Sequence, residues 1–256
     1  MGGDLVSYCS ISSVMNSVVN GECSKGIVPI ENSIEGPVGL TLDLLVHKIN
    51  LVIENEIIIP VSHNLLVDKD IYDIGNADDI TDVYSHSQAL AQCQNYLESH
   101  GMKTHFTLST AAAAKYIKGQ KGVAAIGTLK AAELYGLKTV DKNIQDIKNN
   151  QTRFIVLSKN PSKITWNDKT SVLFFLHDDN PGGLYEILGV FARVNINLTK
   201  IESRPSKERL GKYVFFVDFE GHQDDEKIKN ILNILKEKTS FIKILGSYPI
   251  ADFNKN

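Results

Sequence analysis

At 256 residues, the chain is long enough for two domains, each with its own hydrophobic core. Hydrophobic residues account for 43% and charged residues for 22%, as in ordinary globular proteins, and the formal net charge of −3 gives no general reason to expect nucleic acid or an anionic membrane as a partner. The nearest candidate for a membrane span, 51–67, is interrupted by Glu54, Glu56 and His63, so we expect no membrane partner.

Short apolar strands alternate with helical patterns through the first part of the chain, which predicts an α/β domain. The predicted strands are 26–30, 52–59, 62–67, 82–84, 104–107, 123–126 and 152–157. The predicted helices are 10–19, 41–49, 87–99, 110–118 and 129–135. A second lobe is predicted at 79–150, and the polar, aperiodic segment 159–169, which contains Pro161, indicates a linker.

A compact β-α-β-β-α-β pattern follows over 170–250. Its strands are 171–177, 197–203, 213–219 and 241–247, and its helices are 183–194 and 224–237. This order is typical of the ferredoxin-like arrangement.

The cysteines and histidines indicate neither a disulfide framework nor a metal site. Cys9, Cys23 and Cys93 are odd in number, widely spaced and without a C-x-x-C pair, which favours buried, reduced thiols. The seven histidines show no metal-ligand spacing, and we expect no metal. Residues 1–4 lack the basic and apolar regions of a signal peptide, so we expect a cytoplasmic protein.

Polar clusters stand where predicted strands end or helices begin. Asn150-Gln151-Thr152-Arg153-Phe154 and Val28-Pro29-Ile30-Glu31-Asn32-Ser33 offer hydroxyl, amide, carboxylate and guanidinium groups at strand ends, where α/β proteins build small-anion sites. Ser85 and the pair Ser109-Thr110 precede helices, whose exposed N–H groups bind anions.

These clusters, with four further blocks in the same order, resemble the prephenate dehydratase family. The further blocks are 85–93, 109–112, 124–127 and 135–137. The C-terminal module is similar to the regulatory ACT domain at Gly182-Gly183-Leu184-Tyr185 and Glu202-Ser203-Arg204-Pro205. Family members begin with a further strand and a Gly-Pro-x-Gly loop that nothing here matches, so we expect either a truncated sequence or a protein that has lost part of its active site.

The resemblance implies a two-lobed, periplasmic-binding-protein-like catalytic domain (type II) over 1–158 and a ferredoxin-like ACT domain over 170–250. It implies a lyase, without cofactors, that converts prephenate to phenylpyruvate in L-phenylalanine biosynthesis and is feedback-inhibited by L-phenylalanine. It also implies a homodimer or homotetramer whose neighbouring subunits enclose the effector. The alternatives are a non-catalytic phenylalanine or prephenate sensor, and an arogenate dehydratase.

The resemblance also implies the site residues. Thr152 is the catalytic candidate, as a hydroxyl donor to the leaving group. The expected substrate-binding residues are Glu31, Asn32, Ser33, Ser85, Gln88, Gln92, Ser109, Thr110 and Arg153. The expected L-phenylalanine-binding residues are Asn180, Pro181, Gly182, Gly183, Leu184, Glu202, Ser203, Arg204 and Pro205.

Several of these residues also have a purely structural interpretation. Thr152 suits a strand through its β-propensity alone. Arg153 either grips a carboxylate of the substrate or clamps the fold by pairing with Glu31, since its side chain points opposite to that of Thr152. Ser85 is either an anion ligand or a plain helix cap, and His86 is read as structural or surface-exposed.

Overall fold

The structure is a computed structural model that describes residues 3–71, 79–177, 180–207 and 211–251. The chain forms two compact units, one made of Met1–Ile59 and Thr152–Asn256 and the other of Pro60–Gln151. The helices are α1 (Ile11–Asn20), α2 (Gly39–His47), α3 (Ser87–Ala91), α4 (Gln94–Ser99), α5 (Thr110–Tyr116), α6 (Leu129–Tyr135), α7 (Gly183–Arg193) and α8 (Glu226–Lys238). The strands are β1 (Lys25–Asn32), β2 (Gly36–Pro37), β3 (Val52–Pro60), β4 (Asn64–Asp68), β5 (Asp82–Ser85), β6 (Lys103–Phe106), β7 (Val123–Gly127), β8 (Leu137–Asp141), β9 (Gln151–Ser158), β10 (Asp168–Leu176), β11 (Leu198–Pro205), β12 (Tyr213–Glu220) and β13 (Thr239–Pro249).

The first unit contains two four-stranded sheets, with strand orders β2-β1-β9-β3 and β11-β12-β10-β13. In the first of these sheets, β1 runs antiparallel to β9, and its register sets Glu31 opposite Arg153 and Asn32 opposite Thr152. Adjacent residues of a strand point to opposite faces, so these two cross-strand pairs occupy opposite faces of the sheet.

The two sheets of the first unit share a hydrophobic core. Val28, Leu45 and Ile53 from the segment 1–59 lie in one cluster with Leu173 and Phe216 of the second sheet. The alternate residues of that second sheet pack on its other face, against α7 and α8, in a separate core. Its largest members are Phe174, Phe191, Phe219, Ile187 and Leu235. The second sheet is therefore packed between the first sheet on one face and α7 and α8 on the other, as the alternation of strand side chains permits.

The second unit contains one five-stranded sheet of order β6-β5-β7-β4-β8. Strands β5, β6 and β7 are parallel, and β4 runs antiparallel to both β7 and β8. The sequence places the start of a second lobe near residue 79, whereas the compact unit begins at Pro60 because β4 is an interior strand of this sheet.

The predicted elements are present in order, and most differ from the observed bounds by at most three residues. The predicted helix 87–99 is wrong as a single helix, because Cys93, with φ −121° and ψ 22°, leaves the helical conformation between α3 and α4. Strands β2 and β8 were not predicted. Of the three thiols, Cys93 is buried, which raises its pKa to about 12, whereas Cys9 is exposed and Cys23 half-buried.

No helix among the described residues combines the length and apolar character needed to cross a bilayer.

The backbone of β13 passes very close to the backbone of β3. A Cβ atom built on Gly246 would lie 2.2 Å from the Ile53 carbonyl oxygen and 2.9 Å from the Ile53 nitrogen. Gly246 also has a φ of +149°, which L side chains rarely adopt. Only glycine fits here, because the obstruction is backbone and cannot rotate away.

We predict that Gly246→Ala lowers the free energy of unfolding by about 2–3 kcal/mol, because the added methyl group forces the two strands apart. Urea denaturation of the purified chain measures this. Gly189→Ala, in the interior of α7 with its nearest foreign atom 3.9 Å from the added Cβ, serves as the control and should raise the stability by up to about 1 kcal/mol. Equal stabilities of Gly246→Ala and the wild type would show that the strands tolerate the methyl group.

Candidate active site

The centre of the candidate site in the first unit is the pair Asn32 and Thr152, on adjacent antiparallel strands. The Asn32 side chain donates from Nδ2 to Thr152 Oγ1 at 2.9 Å, and its Oδ1 accepts the backbone N–H groups of Ile34 and Glu35 at 3.0 and 3.1 Å. Both residues of the pair are half-buried. Since Thr152 Oγ1 accepts from Asn32, its own proton is directed elsewhere, which orients the hydroxyl as a donor.

The opposite face of the same strand pair carries a buried guanidinium. Arg153 is 7% exposed, and its Nη2 lies 3.0 Å from Glu31 Oε2 and 2.8 Å from Asp218 Oδ2. Its Nη1 lies 3.2 Å from Glu56 Oε2. Of the two interpretations of Arg153, this geometry favours the clamp, because its ion pairs within the described part of the chain are all with carboxylates of the fold.

Two lysines complete a network of three cations and three anions. Lys169 Nζ lies 2.9 Å from Glu56 Oε1, and Lys200 forms an ion pair with Glu31. Asp218 Oδ1 also accepts from the Ser171 hydroxyl at 2.6 Å. We refer to Arg153, Lys169, Lys200, Glu31, Glu56 and Asp218 as the ion network. Buried charges are tolerated only when they are paired and hydrogen-bonded in this way.

Charge pairing controls the protonation of this network. Burial alone would raise the pKa of Glu31, but the charges of Arg153 and Lys200 outweigh it and hold that pKa below its ordinary value. Burial would lower the pKa of Arg153, but the carboxylates of Asp218, Glu31 and Glu56 raise it above its ordinary value. Glu31 is therefore ionised and neutralised by its partners, which removes the repulsion that an unpaired carboxylate would exert on an anionic substrate.

In the second unit, Gln92 is held by Asn150, from the polar cluster 150–154, and by His63, which sequence reasoning missed. Its Oε1 accepts from Asn150 Nδ2 at 3.0 Å and lies 2.9 Å from His63 Nε2. Because the oxygen faces both partners, the imidazole carries its proton on Nε2. Burial lowers the pKa of His63, and the hydrogen bond to Gln92 offsets this only in part, so the ring is neutral. These contacts fix the carboxamide of Gln92.

Other candidates of the second unit have different surroundings. Ser85 is fully buried and donates from Oγ to the Ile126 carbonyl at 2.8 Å, so it ties β5 to β7, and the cap of α3 is His86. The expectation that Ser85 caps α3 is therefore wrong, and its hydroxyl lies inside the sheet. Gln88 and Ser109 are exposed, and Ser109 Oγ caps α5 by accepting from the Ala112 N–H at 3.0 Å. Thr110, half-buried, is the first residue of α5.

In the C-terminal module, the expected effector-binding residues fall into two segments. Gly182 is the N-cap of α7, with φ +89°, and the first N–H groups of a helix have no acceptor within the helix. Asn180, Pro181 and Gly182 are exposed, whereas Gly183 and Leu184 are half-buried. The second segment lies on β11, where exposed and half-buried residues alternate. Its exposed members are Ser203 and Pro205, and its half-buried members are Glu202 and Arg204. Both segments are accessible to a ligand.

Among the described residues, no group of three or more histidine, cysteine, aspartate or glutamate side chains is placed to hold a metal ion.

Comparison with known proteins matches the chain to two family models and to several similar proteins. Residues 2–162 match the family model for prephenate dehydratase, and residues 170–237 match that for the ACT domain. A prephenate dehydratase of Methanocaldococcus jannaschii is 47% identical over 96% of this chain and 89% of its own. A prephenate dehydratase from Arthrobacter aurescens, solved in complex with L-Phe, has a TM-score of 0.84 at 34% identity over 96% of this chain and 81% of its own. GqqA, described as a novel type of quorum-quenching acylase, has a TM-score of 0.85 at 28% identity over 97% and 90%.

We predict that His63 makes the stability pH-dependent near neutrality. Its pKa is lower in the folded than in the unfolded state, so the unfolded chain binds more protons as the pH falls through about 6.5, and the free energy of unfolding decreases. Urea denaturation at pH 8 and pH 5.5 should show a smaller decrease for His63→Gln than for the wild type.

His177→Gln, at an exposed histidine, is the matched control and should retain the wild-type decrease. An identical pH profile for all three proteins would rule out His63 as the source.

Proposed function

We propose that this chain, which belongs to the prephenate dehydratase family and carries an ACT domain, converts prephenate to phenylpyruvate as a carbon–oxygen lyase in L-phenylalanine biosynthesis. The observation that carries the proposal is the hydrogen bond from Asn32 to Thr152, which orients a hydroxyl donor on a strand pair of the family's catalytic region. We assign the catalytic domain to 1–158, the linker to 159–169 and the ACT domain to 170–250, and the reaction to the cytoplasm.

The reaction depends more on a hydrogen-bond donor held in the right orientation than on an acid whose pKa lies near the working pH. Prephenate loses its ring hydroxyl as water and its ring carboxylate as carbon dioxide, and aromatisation drives both steps. A donor fixed next to the departing hydroxyl stabilises the negative charge that develops on its oxygen. Thr152 supplies that donor because its oxygen is already engaged by Asn32, and this role does not require Thr152 to be ionised.

The remaining polar groups suit the binding of a dianion by neutral donors. In the first unit, the Asn32 amide donates to Thr152, and Ser33, which follows Asn32 in the chain, is exposed. In the second unit, Gln92 is a further neutral amide, fixed by its contacts with His63 and Asn150. Neutral donors hold the ring carboxylate without the strong ion pair that would oppose its loss.

We further propose that L-phenylalanine is the feedback inhibitor, bound by the segments 180–184 and 202–205 of neighbouring subunits in a homodimer or homotetramer. The relative from Arthrobacter aurescens is described in complex with L-Phe. The left-handed Gly182 and the N-terminus of α7 suit the carboxylate of an amino acid, since exposed N–H groups at a helix start attract anions.

We predict that Thr152→Ala lowers kcat by about 10²- to 10³-fold, the usual effect of removing one donor to a developing oxyanion. Phenylpyruvate formation from prephenate measures this, and arogenate tested in parallel distinguishes the two substrates. Thr152→Ser keeps the hydroxyl and should retain most of the activity. If Thr152→Ala turned over prephenate at the wild-type rate, the proposed role of Thr152 would be contradicted. If the wild-type protein bound prephenate but did not turn it over, the sensor alternative would be supported.

We predict that L-phenylalanine suppresses turnover and that phenylalaninamide does not, because the amide lacks the anionic group that α7 attracts. Inhibition assays with both compounds, and calorimetry of each, check this. Equal binding of the two compounds would show that the helix N-terminus does not hold the carboxylate.

A further inference from the structure

The strand that carries the second effector segment is attached to the catalytic region at two points. Lys200 and Arg204 of β11 are four residues apart, on the half-buried face of the strand. Lys200 forms an ion pair with Glu31 of β1, and Arg204 Nε lies 3.3 Å from Asp43 Oδ1 of α2. The guanidinium of Arg204 also packs directly against Gly39, where an added Cβ would lie 2.7 Å from Nη2. These contacts bracket Glu202 and Ser203 of the effector segment.

The contact made by Lys200 lies one residue from the catalytic pair. Glu31 precedes Asn32 in β1, and the register of β1 and β9 places Glu31 opposite Arg153 and Asn32 opposite Thr152. Neighbouring residues of a strand share a rigid backbone and point to opposite faces. A displacement of Glu31 on one face therefore moves Asn32, and with it the hydroxyl of Thr152, on the other.

Within the ion network, the Glu31 branch is the one suited to change. The Glu31 side chain is 35% exposed, whereas those of Glu56 and Asp218 are 0% and 7% exposed. Separating a buried pair leaves an uncompensated charge, whereas a carboxylate at the solvent edge is rehydrated when its partner withdraws. Arg153, Glu56 and Asp218 thus form the buried anchor of the network, and the ion pair of Lys200 with Glu31 is the contact better suited to open.

We propose that Lys200 is a positioning residue that transmits effector binding on β11 to the Asn32–Thr152 pair through Glu31. The inference rests on the proposed function and assigns the route of its regulation. A ligand shifts a conformational equilibrium only by interacting differently with the two conformations. Here the contact that differs between the effector-free and effector-bound conformations is the ion pair between Lys200 and Glu31.

The test compares wild type, Lys200→Gln and Lys200→Arg in two measurements. Prephenate turnover with and without saturating L-phenylalanine gives the fold suppression, and calorimetry gives the Kd for L-phenylalanine. Lys200→Gln should fold, because Arg153 still neutralises Glu31, and a thermal melt verifies this. Lys229→Gln is the matched control, since Lys229 pairs with Glu226 within α8 and, among the residues described, forms no ion pair between sheets.

We expect Lys200→Gln to keep the Kd for L-phenylalanine within about twofold of wild type while its fold suppression decreases at least about fivefold, the lower end of usual coupling factors. Lys200→Arg should restore suppression, and Lys229→Gln should match wild type. Suppression of Lys200→Gln equal to that of wild type would overturn the inference, as would loss of L-phenylalanine binding in this variant, which would place Lys200 in the effector site itself. A wild type without turnover would overturn the proposed function, and the inference with it.

Discussion

The buried guanidinium of Arg153 holds together three carboxylates that come from three different strands. Glu31, Glu56 and Asp218 belong to β1, β3 and β12, so one side chain of β9 connects both sheets of the first unit. Breaking a buried ion pair by removing one partner costs about 3–5 kcal/mol, a large fraction of the stability of a typical domain. The same contact fixes the register of β9, because a slip by one residue would exchange the faces of Arg153 and Thr152. The face of the sheet on which the Thr152 hydroxyl lies thus follows from the face on which the charge of Arg153 is neutralised.

Much of the fold could be predicted from the sequence, because its elements carry local signals. Alternating apolar residues specify the strands, and the serines at positions 10 and 109 start α1 and α5 by accepting backbone N–H groups, as the motif predicts. The single helix predicted over 87–99 failed for a physical reason. Cys93 is apolar and continues the helical periodicity, but its backbone leaves the helix, and periodicity does not report backbone torsion.

The site was less predictable, since its partners come from distant parts of the chain. The sequence makes both Asn32 and Thr152 candidates, but only the structure shows that they share a hydrogen bond. Glu56, Asp218 and Lys200 lie in strands where an isolated charge usually indicates a solvated face, and their burial follows from pairing between sheets. His63 was missed because it is 29 residues from Gln92 in sequence. Polar residues with long-range partners carry no periodic signal of their own.

The core shared by the two sheets of the first unit has a consequence for how the chain folds while it is being translated. This unit is discontinuous, since it is made of Met1–Ile59 and Thr152–Asn256, whereas Pro60–Gln151 is contiguous. During synthesis from the N-terminus, the contiguous segment has all of its strands before the ACT domain has been translated. The first sheet must wait for Leu245 and Tyr248 of β13 to complete its core. The newly made chain therefore carries an exposed apolar sheet until β13 emerges, and contacts of such high sequence separation form slowly.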